Sequence, residues 1–202
     1  MSSRSTLPSA ILALLAEGPM HPYRIQQCIR QRHKHEVINV AQRAALYQAI
    51  RRLEREGLIR PHAVTRDRNR PERTTYELTD AGRAEASAWL REGLARPLRE
   101  YPEFPAVLSF LEQLAPAEAR LALGRRLEAL DAELARLDEG YAAARRHEVP
   151  RLLLVENEYL GAVARAERAW VAALVADLDA GTLAWTPEAI RALRTPPPDP
   201  AP

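Results

Sequence analysis

The chain has 202 residues, 47% of them hydrophobic, and its 29 Lys+Arg nearly balance 27 Asp+Glu for a net charge of +2. One cysteine, Cys28, excludes an internal disulfide and suits a reducing cytoplasm. No apolar run approaches the roughly 18 residues of a membrane span, and Met1-Ser2-Ser3-Arg4-Ser5-Thr6 is too short and polar for a signal peptide.

The small net charge hides a division. Residues 1–83 hold 15 Lys+Arg and 8 Asp+Glu, a net of +7, whereas residues 84–202 hold 14 and 19, a net of −5. Only the first part has the electrostatic footprint of a polyanion binder.

The first predicted helix covers residues 7–15, an apolar run with Leu7, Ile11, Leu14 and Leu15 that closes on Glu17-Gly18-Pro19. The second begins at Pro22, where the missing N–H costs nothing, and carries Ile25, Cys28 and Ile29 on one stripe to about His33. Tyr23 and Arg24 near its start are candidate phosphate contacts, because a helix N-terminus favours anions. Residues 34–39 read as a turn. A basic amphipathic helix follows. At 100° per residue, Leu46, Ala49, Ile50, Leu53 and Gly57 share a narrow stripe, and Ala44, Tyr47, Gln48, Arg51 and Arg55 share the opposite face. Such a helix fits the DNA major groove, where Arg pairs bidentately with guanine and Gln with adenine. A solvated charged face is the plainer reading of that helix by itself.

Gly57 reads as the C-cap, since glycine enters the left-handed region at little cost. Residues 60–64 and 74–78 then suit two short antiparallel strands. Between them lies Arg66-Asp67-Arg68-Asn69-Arg70-Pro71-Glu72-Arg73, a tip whose four arginines suit phosphate contacts or a minor groove. Basic helix and basic wing in series are harder to dismiss than either alone. The layout is a winged helix-turn-helix. In it Gln48 and Arg51 would read bases, and Gln42, Arg43, Tyr47 and Arg55 would sit on or near the backbone. Arg66, Arg68, Arg70 and Arg73 would hold the wing to DNA.

Thr79-Asp80 caps a further helix through Trp89 to about Leu94, and Pro97, Pro102 and Pro105 then read as a linker. A long helix over residues 117–146 carries Leu123, Leu127, Leu130, Leu134, Leu137 and Tyr141 at alternating spacings of three and four. That is a heptad seam, the pattern of helix-on-helix packing. It can serve the next helix, residues 150–180, and also a second copy of the chain, because a two-helix hairpin cannot bury two apolar faces alone. The last helix bears Leu152, Val155, Tyr159, Val163, Trp170 and Leu174, a stripe read first as core. Trp89, Tyr101 and Phe104 near the junction are candidates for an effector cavity. The proline-rich tail 195–202 reads as a disordered extension.

The chain resembles the PadR family of transcriptional regulators. The resemblance rests on Gly18-Pro19-Met20-His21-Pro22-Tyr23, on the run from Ala45-Leu46-Tyr47 to Leu53-Glu54-Arg55-Glu56-Gly57-Leu58-Ile59, and on Arg70-Pro71-Glu72-Arg73-Thr74-Thr75-Tyr76-Glu77-Leu78-Thr79-Asp80-Ala81-Gly82. Tyr101-Pro102-Glu103-Phe104-Pro105 is similar to the longer branch of that family. Two departures stand out. Ala44-Ala45 replaces the Gly-Ser or Gly-Thr often found before Leu-Tyr, and Asn69 replaces a wing-tip glycine. The resemblance implies a homodimer with its recognition helices about one DNA turn apart, promoter DNA as partner, and a response to small aromatic or hydrophobic molecules.

The expected architecture is therefore mainly α with a small β-wing. Residues 1–83 form the DNA-binding domain, residues 84–194 a helical dimerisation and effector domain, and residues 195–202 a tail. No enzyme is expected: neither a glycine-rich phosphate loop nor Gly-x-Ser-x-Gly is present, and glycines number only 8. A metal site from Cys28, His33, His35 and Glu36 is disfavoured, because residues two apart on a helix point away from each other and no second cluster has zinc spacing. No cofactor is expected. The competing reading is a helical homodimeric interaction protein without specific DNA binding, which leaves the basic wing without a role.

Overall fold

The computed structural model describes residues 6–34, 37–40, 42–67, 70–97 and 101–194. The chain forms two compact units, Met1–Glu100 and Tyr101–Pro202. No helix among the described residues is long and apolar enough to cross a membrane.

The first unit runs α1 (Thr6–Leu15), α2 (Pro22–Gln31), α3 (Arg43–Arg55), β1 (Ile59–Asp67), β2 (Arg70–Leu78) and α4 (Asp80–Ala95). Each helix contributes one stripe to a shared core: Leu7, Ile11, Leu12 and Leu15 from α1, Ile25 and Ile29 from α2, Leu46, Ile50 and Leu53 from α3, and Ala86 from α4. Ile59 and Leu78 close it from the strands. Burying each Leu or Ile contributes about 1.5–3 kcal/mol, which lets four helices and a hairpin stand as one unit. Cys28 is buried on the α2 stripe as a free thiol.

Local chemistry sets the ends of these elements. The His21 Nδ1 accepts the Tyr23 backbone N–H at 3.1 Å, and Pro22 opens α2. At the end of α3, Gly57 takes φ 70°, its N–H donating to Glu54 C=O and that of Leu58 to Leu53 C=O. This is the paired hydrogen-bond motif of a glycine-terminated helix. Thr79 joins that end to the next helix. Its hydroxyl donates toward the Gly57 and Leu58 carbonyls at 2.7 and 3.1 Å, and accepts the Gly82 N–H as the α4 N-cap.

The wing is longer than the sequence pattern implies. β1 and β2 pair antiparallel from Ile59↔Leu78 to Asp67↔Arg70, with irregularities between Pro61 and Ala63 and between Thr65 and Asp67. The expected strands ended at Val64 and began at Thr74. Charge along residues 66–73 masked a pairing that backbone hydrogen bonds sustain. At its base the wing is tied to the α1–α2 turn, where Met20 and Tyr76 exchange two backbone hydrogen bonds of 2.9 Å each.

The second unit runs α5 (Glu103–Leu108), a 3-10 turn Leu111–Gln113, α6 (Pro116–Arg146), a 3-10 turn Arg151–Leu153, α7 (Val155–Ala180) and α8 (Pro187–Arg194). Helix α5 occupies what the prolines suggested was linker. Pro102 is its N-cap and Pro105 lies in its first turn, where the absent N–H loses no helical hydrogen bond. Leu152 falls in the 3-10 turn outside α7 and is exposed. α8 has no counterpart in the sequence reading; Trp185 just before it donates its indole N–H to the Leu114 carbonyl at 2.9 Å.

α6 and α7 form an antiparallel hairpin. Leu123 and Leu137 are buried between them with Ala119 and Val171, and Leu127, Leu130, Leu134 and Tyr141 are half-buried. Ion pairs of Arg120 with Asp179, Asp131 with Arg168 and Asp138 with Arg165 flank this seam, as does a hydrogen bond from the Tyr141 hydroxyl to Glu158 Oε1. The partners descend on one helix as they ascend on the other, which fixes the register. The described core of this unit is thin: only Ala119, Leu123, Leu137, Leu154 and Val171 are fully buried apolar residues.

Candidate nucleic-acid interface

Helix α3 turns its buried stripe (Leu46, Ala49, Ile50, Leu53) inward and leaves Gln42, Arg43, Ala44, Tyr47, Gln48, Arg51, Arg52 and Arg55 exposed. The residues of its outer face differ in what they touch. Arg52 is paired with Glu56, Nε to Oε1 at 2.8 Å, across one turn of the exposed surface. Gln48, Arg51 and Arg55 have no hydrogen-bond or ion-pair partner among the described residues. They therefore keep their donors for an external acceptor. Gln42, the N-cap, makes no side-chain capping hydrogen bond, and no acidic residue stands in the first turn. The helix thus begins with a positive end uncompensated by its own chain.

Two flanks frame this face. On one, Leu7, Pro8, Ala45 and Ala49 line a shallow groove with Gln48, Arg51, Arg52, Glu54 and Arg55, so the start of α1 lies beside the basic residues. On the other, half-buried Tyr76 of β2 lies near Tyr47, Glu54 and Arg51. Burial above all, and then the negative charge of Glu54, push its phenol above the ordinary tyrosine range. The Met20–Tyr76 hydrogen bonds tie the wing to the α1–α2 turn, and Tyr76 packs against the core to which α3 contributes; sequence reasoning missed the bridge because a single bridged pair leaves no periodicity.

Tyr23 and Arg24 are exposed at the start of α2, and Arg24 Nη1 donates to Gln27 Oε1 at 3.1 Å. Gln26 Nε2 reaches Val40 C=O at 3.2 Å, tying α2 to the segment before α3. Arg66 lies in β1, and Arg70 and Arg73 in β2, rather than on a loop. Arg68 lies outside the described residues, as do Asn69 and the tail 195–202. Arg60 and His62, not singled out from the sequence, converge on Glu77 at 2.8 Å each. The Arg60 guanidinium first, and His62 after it, hold the Glu77 carboxyl below its usual range. Cross-strand register, invisible in the sequence, brings these three together.

The expected effector residues do not share one unit. Trp89 is half-buried in α4, and Tyr101 is 86% exposed at the start of the second unit. Phe104 stands edge-on to Trp170 with ring centres 6.2 Å apart, and the Arg126 guanidinium lies 3.4 Å from its ring centre while also pairing with Glu167. Among the described residues no group of three or more His, Cys, Asp and Glu could hold a metal ion.

Residues 11–88 match the family model described as the transcriptional regulator PadR-like family. These residues are a PadR-like domain. It runs from the middle of α1 through α2, α3 and the wing to the first turns of α4. Curated proteins offer no match. Among solved structures the chain is similar to Bacillus subtilis PadR in complex with operator DNA, at 23% identity and a TM-score of 0.69 over 88% of this chain and 99% of that one. It is also similar to Bacillus subtilis PadR in complex with p-coumaric acid (20% identity, TM-score 0.67, 89% and 99% covered). A third is the Vibrio cholerae virulence activator AphA (21%, TM-score 0.63, 86% and 98%). At these identities the likeness is one of fold, and it extends beyond the PadR-like domain into the helical second unit.

Proposed function

We propose that the chain is a sequence-specific DNA-binding transcriptional regulator, a cytoplasmic homodimer without enzymatic activity that represses by occluding a promoter. The carrying observation is the outer face of α3, where Gln48, Arg51 and Arg55 stand exposed and unpartnered beside a wing bonded to the same body. In this reading Gln48 and Arg51 meet base edges, and Tyr23, Arg24, Gln42, Arg43, Tyr47 and Arg55 meet the backbone. Arg66, Arg68, Arg70 and Arg73 carry the wing along it. The fold shared with a PadR seen on operator DNA supports it.

The second copy is assigned to the hairpin. Its thin core leaves Val155, Tyr159, Val163 and Trp170 exposed along one side of α7, with Ala162 and Ala166 between them and Ala173 one turn beyond. Nineteen residues of helix give a stripe about 27 Å long. Burying that stripe against its copy, together with the half-exposed part of the α6 seam, supplies the missing core. An aromatic or hydrophobic effector relieves repression by changing the spacing of the two readers. Within the second unit, Phe104, Trp170 and Arg126 offer it aromatic edges and a cation. The PadR bound to p-coumaric acid is consistent with such a ligand.

The test is fluorescence anisotropy with DNA from upstream of the chain's own gene, at two salt concentrations and with unrelated duplex as competitor. Tight, competitor-resistant binding by one dimer per palindromic site is expected. Absence of binding even at low salt sinks the proposal and promotes the helical interaction protein.

A further inference from the structure

The centre of the exposed α3 face holds one apolar group, and it is small. At 100° per residue Ala44 lies within about 40° of Gln48, Arg51 and Arg55, whereas Tyr47 turns toward the wing and Ala45 toward α1. Ala44 is exposed, in the first turn of α3, and Ala45 is half-buried in the groove beside Pro8. The major groove offers one apolar feature, the 5-methyl group of thymine, and alanine is a side chain that matches it. Ala44 and Gln48 are one turn apart, a rise of about 6 Å, close to two base steps of roughly 3.4 Å. A short side chain at Ala44 also lets the start of the helix sit deep, which brings the Gln48 amide within reach of an adenine edge.

We propose that Ala44 selects a thymine by methyl-to-methyl contact, and that Gln48 selects an adenine about two steps away on the same groove floor. The inference rests on the DNA-binding reading and adds to it the bases read by the first turn of α3. It gives Ala44, where a hydroxyl-free side chain stands at a base-facing position, a role in specificity. A cytosine, lacking the methyl group, leaves the alanine facing a void.

The experiment separates the two levels. The full-length protein is used to enrich a random-sequence duplex library, and the enriched duplex is then resynthesised with deoxyuridine replacing each thymine in turn. If no sequence is enriched, the DNA-binding reading fails, and the base assignment falls with it. If a sequence is enriched, one thymine in each half-site is expected to lose about four-fold in affinity on losing its methyl group, with an adenine about two steps from it. Ala44→Gly should reduce that penalty to less than two-fold, and Ala44→Ser, whose hydroxyl replaces part of the apolar surface while the Cβ is kept, should reduce it in part, so that a weakened helix in the glycine variant does not confuse the result. Circular dichroism confirms that both variants are folded. The assignment is overturned if deoxyuridine is neutral at every position in the wild type, or if both variants keep the full penalty.

Discussion

Of the glycines in the first unit, only Gly82 leaves no room for a side chain. A Cβ built there would lie 2.0 Å from the Leu58 carbonyl oxygen and 3.0 Å from the Leu58 carbonyl carbon, both backbone atoms that cannot swing aside. The cause is Thr79, which draws the first turn of α4 onto the end of α3 through hydrogen bonds to the Gly57 and Leu58 carbonyls. Gly82→Ala should therefore cost about 3 kcal/mol, the upper end of overpacking effects, seen as a fall in the denaturant midpoint of the first unit. A variant as stable as the parent would show that α4 can slide away from α3. Such a slide would also shift the recognition helix, so DNA affinity is expected to fall with stability. At the outer face the opposite logic holds. Arg51 is exposed and has no ion-pair partner among the described residues, so Arg51→Ala should leave folding unchanged. It should weaken cognate DNA binding by about 1–3 kcal/mol and relax the preference at one position of the site. Unchanged affinity would mean that the base-reading face is misplaced.

Helix ends explain more of the fold than helix interiors do. Among the described residues two non-glycine residues take left-handed conformations, His33 at φ 55° and Glu148 at φ 52°. Glu148 closes α6 as Gly57 closes α3: its N–H reaches the Arg145 carbonyl and that of Val149 the Ala144 carbonyl. The left-handed region costs an ordinary residue about 1–2 kcal/mol, and glycine gives back about 0.5–1 kcal/mol in chain entropy. Glu148→Gly should thus stabilise the hairpin by roughly 0.5 kcal/mol, read as a small rise in its melting temperature; a fall would locate a compensating contact for the carboxylate. Gly57 was legible as a helix terminator because glycine announces its conformation, whereas His33 and Glu148 give no such sign. The same contrast runs through the chain. The α3 stripe and the Thr79-Asp80 start are local patterns and could be read directly. The Met20–Tyr76 bridge, the convergence of Arg60 and His62 on Glu77, and the full length of the wing depend on which strands pair in which register. Helix α5 hid behind prolines that are tolerated in a first turn. The hairpin adds a pH dependence at this scale. Arg168 holds the Asp131 carboxyl below its ordinary 3.8, Arg120 does the same for Asp179, and Arg151 lowers Glu158 from 4.5, in each case chiefly by a side-chain hydrogen bond. A depressed folded-state value means the pairs stabilise fully above the ordinary carboxylate range, and that contribution is lost as pH falls through that range and below it. Melting followed at pH 7 and pH 3 should show a loss at the acid end. That loss should shrink with added salt, because the pairs are exposed, and shrink again in Asp131→Asn/Asp179→Asn. An equal acid loss in that double variant would place the sensitivity elsewhere.

At the scale of the whole molecule the decisive quantity is the distribution of charge. A net of +2 over 202 residues suggests an indifferent polyelectrolyte, yet residues 1–83 carry +7 and residues 84–202 carry −5. Within the positive part, several arginines are already spent: Arg32 on Glu17, Arg52 on Glu56 and Arg60 on Glu77. Arg51 and Arg55, on the outer face of α3, have no such partner among the described residues. Each phosphate neutralised releases a condensed counterion, and binding weakens with salt by about 0.9 in log–log slope per contact on duplex DNA. A dimer that places several such arginines per protomer should therefore show a steep slope despite its small net charge. Replacing one wing arginine, Arg70→Ala, should lower the magnitude of that slope by about one per protomer, with affinity for cognate and unrelated duplexes falling in parallel. Replacing an arginine already paired internally, Arg52→Ala, should change the slope much less. Titrations of the three proteins over a range of salt concentrations distinguish these outcomes. If Arg52→Ala flattened the slope as much as Arg70→Ala, the Arg52–Glu56 pair would have to open on DNA, and the groove beside Leu7 and Pro8 would become part of the phosphate path.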